Sequence, residues 1–275
     1  LSQQISSLII ERSGKILKLR LNRPEKGNAL DPQTLLALHK AVMEAQTDAK
    51  VKVLQLTGTG TKDFCTGIDV TAASALSPAN RLNIANIAGD IATLLYFGKP
   101  AVVGLNGRSM GMGVVFAVAA DYRIIRDGVE LRMPEINAGI FPGASCMALM
   151  SRVCGIAWTR RILMTGEPFS CEDALAAGIV DEVEAPEEFE TRLDTITHDL
   201  ARKNNILLKA VKFAAVRGLD VPYNEILSLE QELAQYYSWA DEQIVFEKMA
   251  EKYQTTRKLT GDPDMLLKEL ENQKK

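Results

Sequence analysis

Two stretches rich in Ile and Leu open the chain, Ser6 to Glu11 and Lys15 to Leu21, and Arg12-Ser13-Gly14 separates them. Short apolar runs on either side of a glycine-bearing break predict a β-hairpin. The period then lengthens. Asp31-Pro32 supplies an N-cap and a proline pre-set for the first helical position, and Leu35, Leu36, Leu38, Ala41, Val42 and Ala45 follow at helical spacing. A long helix is expected there. Val51 to Thr57 reads as a buried strand, Pro78 to Phe97 as a second long helix and Pro100 to Asn106 as another strand. The polar loop Gly58 to Asp69 follows the first of these strands, and Gly107 to Gly113, with three glycines, follows the second.

Strand and helix alternate in this way to about residue 184, a pattern that predicts a parallel-sheet α/β architecture with crossover helices. After Pro186 the text changes. From Glu187 to Glu271 it is helical in period and rich in Leu, Ala, Glu and Lys, with breaks near Gly218, Pro222 and Gly261-Asp262-Pro263. The expected organisation is an α/β core over 1–200 and a helical C-terminal part over 201–275.

Composition narrows the function. The 275 residues carry 32 Lys plus Arg against 35 Asp plus Glu, a net charge of −3, which argues against a nucleic-acid partner that needs a broad basic field. With 47% apolar residues the chain is long enough to bury a large core without staples, yet no apolar run reaches the ~18 residues of a membrane span. Only two histidines are present, and four cysteines (Cys65, Cys146, Cys154, Cys171) lack CxxC spacing. That disfavours a His-rich metal site and a disulfide scaffold and suits a reducing compartment, the cytoplasm or the mitochondrial matrix. The start at Leu1 leaves a removed leader open. His39 and His198 are expected at the surface.

Three segments have the residues for chemistry. Phe64-Cys65-Thr66-Gly67-Ile68-Asp69 is a loop whose glycine permits free backbone N–H groups, although an ordinary strand-to-helix turn reads the same. Asn106-Gly107-Arg108-Ser109-Met110-Gly111-Met112-Gly113 runs into Val114 to Ala120, apolar on every side. Such a helix is buried, and its first N–H groups need a partner, so they suit a developing anion. Glycines that merely allow close packing are the plainer reading. In Met133 to Gly143, Glu135 stands alone among apolar residues, where burial raises a carboxyl pKa toward that of a proton shuttle; a helix-start carboxylate after proline is the simpler alternative.

Taken in order and spacing, these segments resemble those of the crotonase family, the enoyl-CoA hydratase/isomerase superfamily. The supporting stretches are Leu21-Asn22-Arg23-Pro24-Glu25-Lys26 with Asn28-Ala29-Leu30, Lys99 to Val102, Ala120 to Ile124, and Thr165-Gly166 through Gly178-Ile179-Val180. The resemblance implies a crotonase-like ββα superhelix with C-terminal helices that build a trimer or pair of trimers and cover the active site. It also implies an acyl-CoA thioester substrate, with coenzyme A as part of the substrate and no separate cofactor or metal.

Carried over to this chain, the oxyanion donors would be the N–H groups of Ile68, after Gly67, and Met112, after Gly111, with Asp69 beside the first. Of the two glutamates that hydratases of the family use, Glu135 matches the second, and Val115 stands at the position of the first. One remaining carboxylate is similar to the pattern of mitochondrial-type 3,2-enoyl-CoA isomerases, enzymes of fatty-acid β-oxidation. Val115, Phe116 and Ile140 would wall the site, the segment Ile68 to Leu76 and the following helix would hold the acyl chain, and Arg23, Lys26, Lys62 and Lys252 are the candidate cations for CoA, with solvated surface charge as their plainer reading. Hydration, another crotonase reaction such as decarboxylation or thioester hydrolysis, and a catalytically silent acyl-CoA-binding role are the alternatives.

Overall fold

The computed structural model describes residues 2–5, 7–237 and 260–273. The expected hairpin forms as β2 (Leu8–Ser13) and β3 (Ile16–Leu21), and β1 (Ser2–Ile5) adds an antiparallel edge to it. Beyond β3 every neighbour in the large sheet is parallel: β4 (Val53–Gly58), β6 (Ala101–Leu105), β8 (Tyr122–Arg126) and β11 (Glu182–Glu184) complete seven strands. A second sheet of four short strands lies in the order β10 (Phe169–Ser170), β9 (Glu130–Arg132), β7 (Arg108–Met110), β5 (Asp63–Cys65). The chain alternates between the sheets. A strand in the large sheet, a short strand in the small one and then a helix recur as β4–β5, β6–β7 and β8–β9 with their helices. This is the ββα superhelix that the resemblance implies.

Helix α1 (Pro32–Thr47) starts where Asp31 accepts from the Thr34 N–H at 2.8 Å and Pro32 fills the first turn. It packs on α3 (Pro78–Phe97), and α2 (Val70–Ser74) leads into α3. The large sheet is buried on both faces. Leu54, Leu56, Val103 and Leu105 join the main core with α1 and α3, while Val53, Val102 and Ile124 point the other way under Phe189 and Leu193 of α8 (Phe189–Arg202). Gln55 faces α8 too and is satisfied there by Asp194 and Thr197. Gly104 is required by that contact, because a Cβ on it would lie 2.5 Å from a Leu193 methyl.

Helices α9 (Asn205–Gly218) and α10 (Tyr223–Tyr237) share a small cluster of their own around Ala210, Leu229 and Leu233. Buried Lys212 ties α9 to the core by donating to Asp121 at 2.7 Å and to the Leu95 and Lys99 carbonyls. The final described helix, α11 (Pro263–Asn272), returns to α3. All four cysteines are free and buried. Among the described residues no helix is long and apolar enough to cross a membrane. His198 is exposed, but His39 corrects its surface expectation: it is half-buried on α1 near Asp90, and desolvation lowers its pKa.

Candidate active site

The small sheet gathers the three candidate segments. Its strands β5, β7 and β9 run parallel, with Cys65 opposite Ser109 and Met110 opposite Arg132. Parallel neighbours end on the same side. The residues that follow them are Gly67-Ile68, Gly111-Met112 and Pro134-Glu135, so segments far apart in sequence converge there. The β7–β9 ladder continues one step further, the Gly111 N–H donating to the Arg132 carbonyl at 3.0 Å.

Both loops turn through conformations that favour glycine, with φ of 89° at Gly67 and 51° at Gly111. A Cβ on Gly67 would lie 3.5 Å from the Met112 nitrogen and 3.7 Å from the Gly111 Cα, so the two loops touch backbone to backbone. Leu30 forms a parallel bridge to Ile68, donating to the Gly67 carbonyl at 2.8 Å and accepting from the Asp69 N–H at 3.0 Å. In that pattern the Ile68 N–H faces away from Leu30. Met112 opens α4 (Met112–Ala119), where an N–H has no partner within its helix. All eight residues of α4 are buried, Val115 and Phe116 among them.

Glu135 begins a 3₁₀ turn, Glu135–Ala138, which Met133 and Pro134 join to β9. Its carboxylate lies over Gly111: a Cβ there would be 2.6 Å from Glu135 Oε1. The other oxygen, Oε2, is buried without a hydrogen-bond partner. Desolvation raises the Glu135 pKa, and the residue's own N–H offsets only part of that. The turn is pinned from behind. Asn137 and Arg132 both donate to the Gly166 carbonyl, at 3.1 and 2.8 Å, at the end of α6 (Gly155–Thr165). Asn137, Arg132 and Leu30 had no chemical signature in the sequence; their roles come from backbone pairing and a helix terminus.

Several expected contacts take a different form. The Arg23 guanidinium is not a free cation: it donates to Asp69 Oδ2 at 3.1 Å and to the Ala29 carbonyl at 2.6 Å, and pairs with Asp31 at 3.3 Å. Asp69 in turn caps α2 through the Ala72 N–H. Burial pushes the Asp69 pKa up, but the Ala72 N–H and Arg23 outweigh it and hold the carboxyl below its usual range. Arg23 and Asp69 thus brace the Ile68 loop from inside the protein. Ile140 is 49% exposed, as is its neighbour Phe141 at 76%, because the turn closes at Gly139 and sends the chain outward. It does not close over Glu135 within this chain. Lys26 and Lys62 are exposed, and Lys252 lies outside the described residues.

The family described as enoyl-CoA hydratase/isomerase matches residues 11–259. A short-chain-enoyl-CoA hydratase of Clostridium acetobutylicum is 26% identical over 94% of this chain and 98% of its own length. A carnitinyl-CoA dehydratase of Salmonella arizonae is 30% identical over 75% of this chain and 78% of its own length. Among solved structures, an enoyl-CoA hydratase from Bacillus anthracis superposes with a TM-score of 0.81 at 22% identity, covering 93% of this chain and 100% of that one. Sequence and fold agree, and the chain belongs to the enoyl-CoA hydratase/isomerase family, the crotonase superfamily.

Proposed function

We propose that this protein is a 3-enoyl-CoA isomerase that moves one proton with one glutamate. The observation that carries the reading is the buried, partnerless Oε2 of Glu135; Val115, at the position where the family's hydratases have their other glutamate, is an apolar residue of the fully buried α4. The Glu135 carboxylate removes a proton from C2 of a 3-enoyl thioester. The electron pair passes into the thioester oxygen, which the N–H groups of Ile68 and Met112 hold as a dienolate. Each such donor contributes about 2.7–4 kcal/mol to the transition state. The protonated Glu135 then returns the proton to C4, and the double bond comes to rest between C2 and C3. No water is added and no cofactor takes part beyond the CoA of the substrate. Desolvation keeps the glutamate basic enough for this exchange, so kcat/KM rises with pH through an apparent pKa above the ordinary carboxylate range. A trimer or pair of trimers is the assembly that goes with this reading.

Hydration is the second reading, favoured by relatives named as hydratases and a dehydratase. Incubation with a 3-enoyl-CoA and, separately, a trans-2-enoyl-CoA separates the two. Gain of thioester conjugation without a change in mass is the expected outcome, with Glu135→Gln slower by about 10²–10⁴-fold. Addition of one water to the 2-enoyl substrate at a comparable rate, or turnover by Glu135→Gln within a few-fold of wild type, would overturn the assignment.

A further inference from the structure

Helix α3 carries four buried polar side chains, of which Thr93 donates to the Gly89 carbonyl of its own helix while Asn80, Asn83 and Asp90 look outward from it. Asn83 donates to Asn80 at 3.3 Å, and the other side-chain partners of the three come from the C-terminal segment that lies beyond the family match at residue 259. Asp90 accepts from the N–H groups of Thr260 and Gly261 at 3.1 and 2.6 Å. Asn83 binds the Asp262 backbone in both directions, at 2.5 and 2.7 Å. Glu269 of α11 accepts from the Ser77 N–H at 2.7 Å, the Ser77 hydroxyl at 2.6 Å and the Asn80 amide. Leu266, fully buried, joins the same core as Leu76, Ile84 and Ile87. The segment both covers these three polar groups and supplies their hydrogen-bond partners, and a docked segment that failed to match them would bury them unpaired, which makes the docking specific.

The helix so gripped connects both halves of the site. Its N-terminal end follows α2 and the Ile68 loop, and its middle touches the residues after the Glu135 turn: a Cβ on Gly89 would lie 3.2 Å from Ala144 Cα, and Ser145 Oγ donates to the Gly89 carbonyl at 3.3 Å. We propose that the segment Thr260–Gln273 is a specificity-determining strap, which holds the α2–α3 corner inward and so limits the length of acyl chain admitted between Ile68 and α3. The proposal rests on the acyl-CoA reading above and not on isomerisation. Glu269 is its outer anchor, capping the N-terminus of α3 from a different part of the chain.

The test measures Kd for butyryl-, octanoyl- and dodecanoyl-CoA by calorimetry on the full chain as wild type, Glu269→Ala and Glu269→Gln, with amide exchange over 75–80. Glu269→Ala removes the three hydrogen bonds to Ser77 and Asn80, together with one from Gln273 within its own helix, at a partly exposed position outside the apolar core. Its exchange over 75–80 should quicken at least tenfold, and its ratio of dodecanoyl to butyryl affinity should rise at least fivefold. Glu269→Gln, whose amide oxygen still accepts from Ser77, should return most of the way to wild type. Equal changes for all three esters, or unchanged exchange in the alanine variant, would overturn the strap. Failure to turn over a 3-enoyl-CoA would remove the isomerase reading and leave this result standing. Failure of the wild type to bind any of the three esters would overturn the acyl-CoA reading and the strap with it.

Discussion

The seven-stranded sheet is made of strands up to six residues long with apolar side chains on both faces, whereas the four-stranded sheet has strands of only two or three residues. The first is covered by α1 and α3 on one side and α8 on the other, and its strands contribute to both of the larger apolar clusters. The second adds Phe64, Cys65, Leu131 and Phe169 to the main cluster, and three of its strands end in the loops that hold Ile68, Met112 and Glu135. Stability and chemistry therefore have different addresses in this fold. The pairing of Met110 with Arg132 decides where the base stands, and the stacking of Val53 and Val102 under α8 decides whether the chain stays folded.

Substituting one glycine in each sheet's territory breaks the comparison at its strongest points. Gly111→Ala places a methyl 2.6 Å from Glu135 Oε1 at a φ of 51°. It should lower kcat by roughly 10³-fold, since base and donor loop shift together, with loss of the order of one oxyanion donor or more. Circular dichroism should show the fold retained and the melting temperature only slightly lower. Gly104→Ala does the reverse. Its methyl meets Leu193 and Phe189 of α8, and overpacking of this kind destabilises by about 1–3 kcal/mol. Denaturant unfolding should report that loss while kcat per folded molecule stays within twofold of wild type. Equal damage to both quantities in both variants would remove the division.

The same division explains what could be read from the sequence. The strands of the large sheet and helices α1 and α3 announce themselves, because each repeats its apolar period often enough to stand out; Pro78 to Phe97 is the helix the spacing predicts. Three-residue strands contain no period. Asp63–Cys65 and Arg108–Met110 were expected only as glycine-bearing loops, and the sheet that joins them exists through backbone hydrogen bonds to strands far away in the chain. The residues Glu135, Gly67 and Gly111 were nevertheless legible, since an isolated carboxylate and glycines before a buried helix are uncommon whatever the tertiary structure. Free cations were the least legible part. Nothing local to Arg23 shows that Asp31 and Asp69 would fold against it.

Arg23 gives a sharper and smaller test. If it braces the Ile68 loop, Arg23→Met leaves two partly buried carboxylates without their countercharge, and hydrogen bonds to charged groups contribute roughly 1.5–3 kcal/mol. The melting temperature should fall and kcat should drop about tenfold, the size expected for about 1.4 kcal/mol of lost transition-state stabilisation. The loss should be the same for a CoA ester and its 3′-dephospho form. A residue that bound the nucleotide phosphate would instead lose affinity for the first and not the second, so a difference between the two esters would return Arg23 to the ligand.

The smallest effect concerns the carboxylate itself, and its sign follows from the raised pKa. In the unfolded chain Glu135 ionises at its ordinary value, and in the folded protein it ionises later because burial disfavours the charge. Below the ordinary carboxylate range both states are protonated and the residue contributes its full share of stability. As pH climbs, the unfolded chain releases its proton first, so stability falls until the folded-state pKa is passed, and then levels off. Glu135→Gln has no proton to release. Its melting temperature should match wild type at pH 4, within a degree or so, and exceed it by a few degrees at pH 8, while isomerisation is lost at both. A variant that is less stable than wild type at pH 8 would mean that the charged carboxylate has a stabilising partner in the fold, and that the small sheet holds its base by attraction rather than against a desolvation penalty.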